Sequence, residues 1–194
     1  MPTFRESVAA GGLVIGQDRP SDPVELAPYD PAWPERYEVM RARLAAALGE
    51  VAVRIEHVGS TAVPGLSAKP VIDIQVSVPD VTDEDSYRDA IESQGFGLRW
   101  IEPHHRYFRP PPGLPREYQV HVCSVGSEWE RVHLLFRDYL RAHPETAEEY
   151  SALKARLAGQ YRYDRVGYTD AKGPFIDATV ATAEQWAKDI GWRP

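Results

Sequence analysis

EHVGSTAVPGLSAKPVIDIQVSV, residues 56–78 of the 194-residue chain, is the stretch on which the fold turns. In its second half Ile72, Ile74, Val76 and Val78 alternate with Asp73, Gln75 and Ser77. A period of two belongs to a β-strand, so one face is core and the other is open to chemistry. The first half closes another alternating run, VAVRIEHV at 51–58, a half-buried strand that ends at Gly59 and Ser60. The Pro- and Gly-punctuated loop between them, 61–69, is expected to open a short helix whose unpaired N–H groups hold phosphate oxygens. Glycine at 59 lets the backbone approach a ligand closely. Twelve residues separate Ser60 from Asp73. A carboxylate beside a phosphate cradle is what Mg2+ or Mn2+ requires, since the metal takes oxygens from protein and substrate together. The same spacing also fits a plain tight turn shaped by Gly59 and Gly65, with Asp73 capping it locally. Two commoner phosphate loops are excluded: five residues lie between Gly59 and Gly65 with no Lys-Ser or Lys-Thr following, and no complete G-x-G-x-x-G occurs.

Outward from this stretch, Trp33, Tyr37, Met40, Leu44 and Leu48 recur at spacings of three and four, with Pro34 in the first turn and Gly49 past the end. This predicts a helix over 33–48. Residues 83–94 read as a short surface helix closed by Gly95. Residues 98–101 and 106–109 read as short strands, and 117–124 (EYQVHVCS) as another alternating strand. PPPGLPR at 110–116 is too proline-rich to pair. From Gly126 the texture is helical. Trp129, Val132, Leu135, Phe136, Tyr139 and Leu140 make an apolar stripe, Pro144 begins a helix running to near Tyr163, and a third helix spans 173–190. The last carries Phe175, Ile176, Val180, Ala183, Trp186 and Ala187 on one side. The fold class is therefore α/β (α+β), a mixed sheet flanked by helices with a C-terminal helical segment. Residues 1–23 form a partly ordered extension, 24–125 the α/β core, and 126–194 a helical part packed on that core within the same domain.

Composition narrows the function classes. Hydrophobic residues at 43% and charged residues at 26% set aside disorder, collagen-like repeats and a simple coiled coil. With 22 basic against 29 acidic residues the net charge is −7, so the surface as a whole disfavours nucleic acid and anionic membrane. Any polyanionic ligand must be met by a local site. The five tryptophans are scattered at packing positions and offer no base-stacking platform. Cys123 is the one cysteine, which excludes an internal disulfide and favours the cytoplasm. It shares a strand face with His121, but no orienting third group accompanies the pair. No stretch reaches the ~20 apolar residues of a membrane helix. VAAGGLVIG at 8–16 imitates a signal core, yet it follows Arg5 and Glu6 and contains paired glycines, so the reading is a cytoplasmic protein.

Taken with HRYF at 105–108, HVC at 121–123, LLFRDYLRAHPE at 134–145 and KGPFI at 172–176, the run HVGSTAVPGLSAKPVIDI at 57–74 resembles the GrpB family. The likeness covers about residues 24–192. That family is similar to the nucleotidyltransferase superfamily, which implies a mixed sheet with a Gly-Ser loop and acidic residues two apart on the following strand. In some bacteria a similar domain is fused to dephospho-coenzyme A kinase, which implies an accessory role. By this resemblance Gly59 and Ser60 match the phosphate-loop pair, Thr61 continues it, and Asp73 matches the first metal-binding carboxylate. The place of the second acid is taken by Gln75, whose amide can ligate Mg2+ but brings no negative charge. A third acid belongs on a later strand, and the polar face of 117–124 carries Gln119 and His121 instead.

The catalytic candidates are therefore Asp73, Gln75 and His121, with Asp73 and His121 as metal ligands. Joined by His57, they point to a transition-metal alternative, because imidazole suits such ions better than Mg2+. His121 equally fits a histidine packed between strand and loop. Lys69, His57, Arg106 and Lys172 are the further candidates for an anion site, arginine as a fork and lysine as a point charge. Arg137 and Asp138 interrupt an apolar stripe and read as an internal ion pair that orients the helical part. Three functions fit: nucleotide or phosphorylated-ligand binding with a divalent metal, extending to nucleotidyl transfer; an inactive accessory module; and metal-assisted hydrolysis through Asp73 and His121. The expected partners are a nucleotide or other phosphorylated small molecule and a second copy or a partner enzyme, with no membrane and no nucleic acid.

Overall fold

A computed structural model describes residues 12–15 and 23–194, so most of the N-terminal extension and of the signal-like 8–16 stretch lies outside the described residues. The strands are β1 (Leu13–Val14), β2 (Arg54–Val58), β3 (Ile72–Val78), β4 (Gly97–Glu102), β5 (His105–Arg109) and β6 (Tyr118–Ser124). They form one mixed sheet in the order β1-β4-β5-β6-β3-β2. Only β3 and β6 run parallel, pairing Asp73 with Gln119 and Gln75 with His121; the other neighbours are antiparallel.

One face of the sheet is the core. Ile72, Ile74, Val76 and Val78 of β3, with Phe108, Val120 and Val122, pack against Trp33, Tyr37, Met40, Leu44 and Leu48 of α1 (Trp33–Leu48) and Ile91 of α2 (Arg88–Ser93). Each such side chain contributes roughly 1.5–3 kcal/mol on burial. The opposite face is covered by α3 (Glu128–Ala142), which packs with α6 (Gly173–Ile190) through Leu135, Tyr139, Ala183 and Ala187. Between them in sequence lie α4 (Pro144–Gln160) and α5 (Arg165–Asp170). The α/β architecture and the C-terminal helical part agree with the sequence reading.

Four details differ. The run at 51–58 pairs only from Arg54, because Gly49–Val51 is a 3-10 turn. Residues 83–94 divide into a 3-10 turn, Glu84–Ser86, and α2. The C-terminal part has four helices, since the six-residue α5 is too short to show a helical period. The face of β3 expected to be open is open only at its end. Gln75 and Ser77 are fully buried, and Ser77 donates to Glu130 of α3 at 2.5 Å, whereas Asp73 stays half-buried.

The helical layer is tied to the sheet by charge. Arg137 donates to Asp138 at 2.7 Å, as the expected ion pair, and also reaches Glu56 at 2.6 Å and the His57 carbonyl at 3.0 Å. Arg141 donates to the Ala62 carbonyl at 2.9 Å, fixing the loop after β2.

Candidate anion-binding site

A cavity of about 260 Å³ opens between the ends of β3 and β6 and the helical layer. Gly59, Ser60, Thr61 and Asp73 line one side of it. Gly59 has φ +72°, and a Cβ added there would lie 2.4 Å from Asp73 Oδ2, so only glycine lets the bend and the carboxylate meet. The juxtaposition inferred from the Gly-Ser spacing is present. The helix expected after it is not: Ser60–Ala62 is a single 3-10 turn, whose Ala62 and Val63 N–H groups bond back to the Gly59 and Ser60 carbonyls. The loop therefore supplies no α-helical dipole.

Three lysines line the same cavity. Lys69 comes from the loop before β3, Lys154 from α4 and Lys172 from the turn before α6. The Lys69 and Lys172 ammonium groups lie 5.2 and 4.8 Å from the Tyr168 ring centre, and Lys154 lies 4.8 Å from that of Tyr150. Lys154 is only 2% exposed and donates to the Ser67 carbonyl. Burial, reinforced by Lys172, pushes Lys69 down to about 7; burial, then the charges of Lys172 and Lys69, pushes Lys154 down to about 7. Burial brings Lys172 to about 8, with Asp73 opposing the shift. Asp73 is the one carboxylate among the lining residues, so the cavity holds an excess of desolvated positive charge. The buried Tyr150 lines the same cavity as Ser60.

His121 also lines the cavity, its Nε2 3.6 Å from Asp73 Oδ1. Among the described residues no three His, Cys, Asp or Glu side chains gather as a metal centre. His133 lines the cavity too, but its Nδ1 is held 2.7 Å from the Trp129 carbonyl. Asp73 and His121 remain as the adjacent donors for a divalent ion, a set that suits a late first-row metal better than Mg2+ and leaves positions for ligand oxygens.

Three of the sequence-derived candidates stand elsewhere. His57 points from the core face of β2, stacked on Tyr37 at 4.8 Å and 3.0 Å from the Thr61 hydroxyl, which donates on to the Val71 carbonyl. Burial pushes its imidazole down to about 4, so it braces the loop as a neutral ring. Arg106 likewise lies off the cavity, donating to Glu84 at 2.6 Å and to the Glu102 carbonyl. Gln75 is enclosed in the sheet layer, and its amide nitrogen and oxygen have no partner among the described residues. Cys123 is buried, its thiol pushed up to about 12 mainly by burial, which removes it as a nucleophile. Lys154, Tyr150 and Tyr168 were missed. Lys154 had a visible signal: with Ala147, Tyr150 and Leu157 it occupies the buried stripe of α4, where a lysine has no packing reason to be.

These features define an α/β protein whose mixed sheet ends in a basic cavity facing a lone aspartate. Residues 23–182 match the family described as GrpB protein, and the chain belongs to the GrpB family. A UPF0157 protein of Streptomyces coelicolor is 42% identical over 160 residues, 82% of this chain and 84% of that protein. The crystal structure of the conserved protein GrpB from Enterococcus faecalis superposes with a TM-score of 0.73 at 33% identity, covering 84% of this chain and 99% of that one. A dephospho-CoA kinase of Mycolicibacterium paratuberculosis is 29% identical over 89% of this chain, which spans only 49% of the kinase. A cytoplasmic RNA terminal U-transferase superposes with a TM-score of 0.45 at 15% identity, over 64% of this chain and 40% of that one, a likeness too loose to carry an activity across. Among the described residues no helix is long and apolar enough to cross a membrane.

Proposed function

We propose that the cavity binds a phosphorylated small molecule, a nucleotide or another polyphosphate-bearing ligand, with a divalent cation at the Asp73 and His121 end. The observation that carries this reading is the meeting of Lys69, Lys154 and Lys172 in one cavity with a single carboxylate. Buried ammonium groups of one sign cost free energy unless an anion neutralises them, and phosphate oxygens accept from several donors at once. Ser60 adds a hydroxyl on the Asp73 side.

Binding without nucleotidyl transfer is favoured by Gln75. The position two residues after Asp73 is enclosed and uncharged, so only one carboxylate is left to hold metal ions against a triphosphate. An accessory or regulatory role is the form this takes. The dephospho-CoA kinase relatives add coenzyme A and its dephospho form to the ligands to be tried.

Calorimetry with tripolyphosphate, ATP, CTP, coenzyme A and dephospho-coenzyme A tests the reading. The lysines lose protons in the free protein at about 7 to 8. Affinity should therefore fall as pH rises from 7 towards 9, by up to about tenfold per pH unit for each lysine engaged, with proton uptake on binding. No binding by any of these ligands, or binding indifferent to pH, overturns it. Pyrophosphate release from the bound nucleotide would replace the accessory reading with transfer.

A further inference from the structure

Glu102, His105 and His121 form a chain that ends at Asp73. Glu102 Oε2 lies 3.1 Å from His105 Nδ1, His105 Nε2 lies 2.9 Å from His121 Nδ1, and His121 Nε2 lies 3.6 Å from Asp73 Oδ1. His105 is buried and its ring is stacked on Trp129 at 4.4 Å, which fixes its orientation. Trp129 in turn stacks on His133 at 3.6 Å, whose Nδ1 is 2.7 Å from the Trp129 carbonyl. Tyr107, paired with His121 across β5 and β6, lies against the other side of the His121 ring at 5.2 Å.

An imidazole with a single proton offers one N–H and one lone pair, and one such arrangement satisfies the chain. The Glu102 carboxylate only accepts, so His105 carries its proton on Nδ1; its Nε2 must then accept, so His121 also carries its proton on Nδ1. The lone pair of His121 Nε2 then faces a carboxylate oxygen 3.6 Å away, an arrangement that a cation satisfies on both sides. Metal bonds of about 2.0–2.2 Å to nitrogen and oxygen bridge donors 3.6 Å apart without displacing either. A hydrogen-bonded partner on the far nitrogen is the usual support of a metal-binding imidazole.

We infer that Glu102 and His105 are positioning residues that present the His121 Nε2 lone pair beside Asp73, making the pair a seat for a late first-row divalent cation such as Co2+ or Zn2+ in preference to Mg2+. The inference builds on the proposed ligand site, whose phosphate oxygens supply the remaining coordination positions.

Long-range proton–nitrogen NMR of the metal-free full chain at about pH 8 reads the tautomers directly. Nδ1–H is expected on both His105 and His121; Nε2–H on His121 overturns the inference, whatever the variants do. Co2+ titration followed by its visible absorption, with tripolyphosphate present, reads the seat. One ion is expected per chain, lost in Asp73→Ala and in His121→Ala and weakened about tenfold or more in Glu102→Ala. Tighter binding of Mg2+ than of Co2+, or Co2+ binding untouched by His121→Ala, also overturns it. Tripolyphosphate binding to the metal-free protein separates the two readings. If it binds while the His121 proton or the Co2+ seat is wrong, this inference alone falls; if it does not bind while both are right, the anion reading alone falls.

Discussion

Replacing Lys154 by methionine should stabilise the protein near neutral pH while weakening its ligand binding. The side chain is 2% exposed, and its pKa is pushed from 10.5 down to about 7, chiefly by burial. Between those values the unfolded chain holds a proton that the folded chain gives up, so stability rises with pH across this window. Integrating the two titrations, the charge costs about 4 kcal/mol at pH 7 and about 2 kcal/mol at pH 9. Methionine keeps the apolar stem in place and removes that cost, at the expense of the bond to the Ser67 carbonyl, about 1–3 kcal/mol. The net gain at pH 7 is therefore about 1–3 kcal/mol and shrinks toward zero by pH 9. Urea unfolding of both proteins at a series of pH values measures this. The difference in slope, about 2 kcal/mol between pH 7 and 9, is the decisive quantity. Parallel curves would refute the assignment of Lys154 as a desolvated cation. Tripolyphosphate affinity should drop at least about tenfold in the same variant, the worth of one charge-assisted hydrogen bond.

Gly59→Ala forces a left-handed φ on a residue with a Cβ and drives that carbon into Asp73. A loss of about 2–3 kcal/mol in urea unfolding is expected, together with loss of the Co2+ signal; a variant as stable as the parent would show that the bend relaxes freely. Arg137→Ala leaves Glu56 and Asp138 without their buried guanidinium. It should cost about 1–3 kcal/mol, less than a fully buried pair because Glu56 is 35% exposed, and a thermal melt unchanged from the parent would remove this arginine as the tie between helical layer and sheet.

Much of the site was legible as strand parity. Asp73 and His121 fall on the non-core face of alternating runs, and the register of β3 with β6, which pairs Asp73 with Gln119 and Gln75 with His121, sets them diagonally beside one another. Parity also contained the corrections. His57 shares the face of Ile55, and Arg106 shares that of Phe108, so both point into the α1 and α2 layer. Their basic character outweighed that signal in the sequence reading. Gln75 has the same parity as Asp73 but lies deeper under α3, and alternation does not say how far along a strand a covering helix extends.

The succession of strands β2 to β6, the longer helices and the two faces of β3 follow from the amino-acid sequence alone, because period is a property of neighbouring residues. The basic cavity does not. Lys69, Lys154 and Lys172 come from three distant segments, and each is an ordinary cation until packing brings them together and strips their water. The pairing of His121 with His105 and Glu102 likewise waits on β5 and β6 lying side by side. Charge depends on surroundings, and the surroundings exist only once the chain has folded.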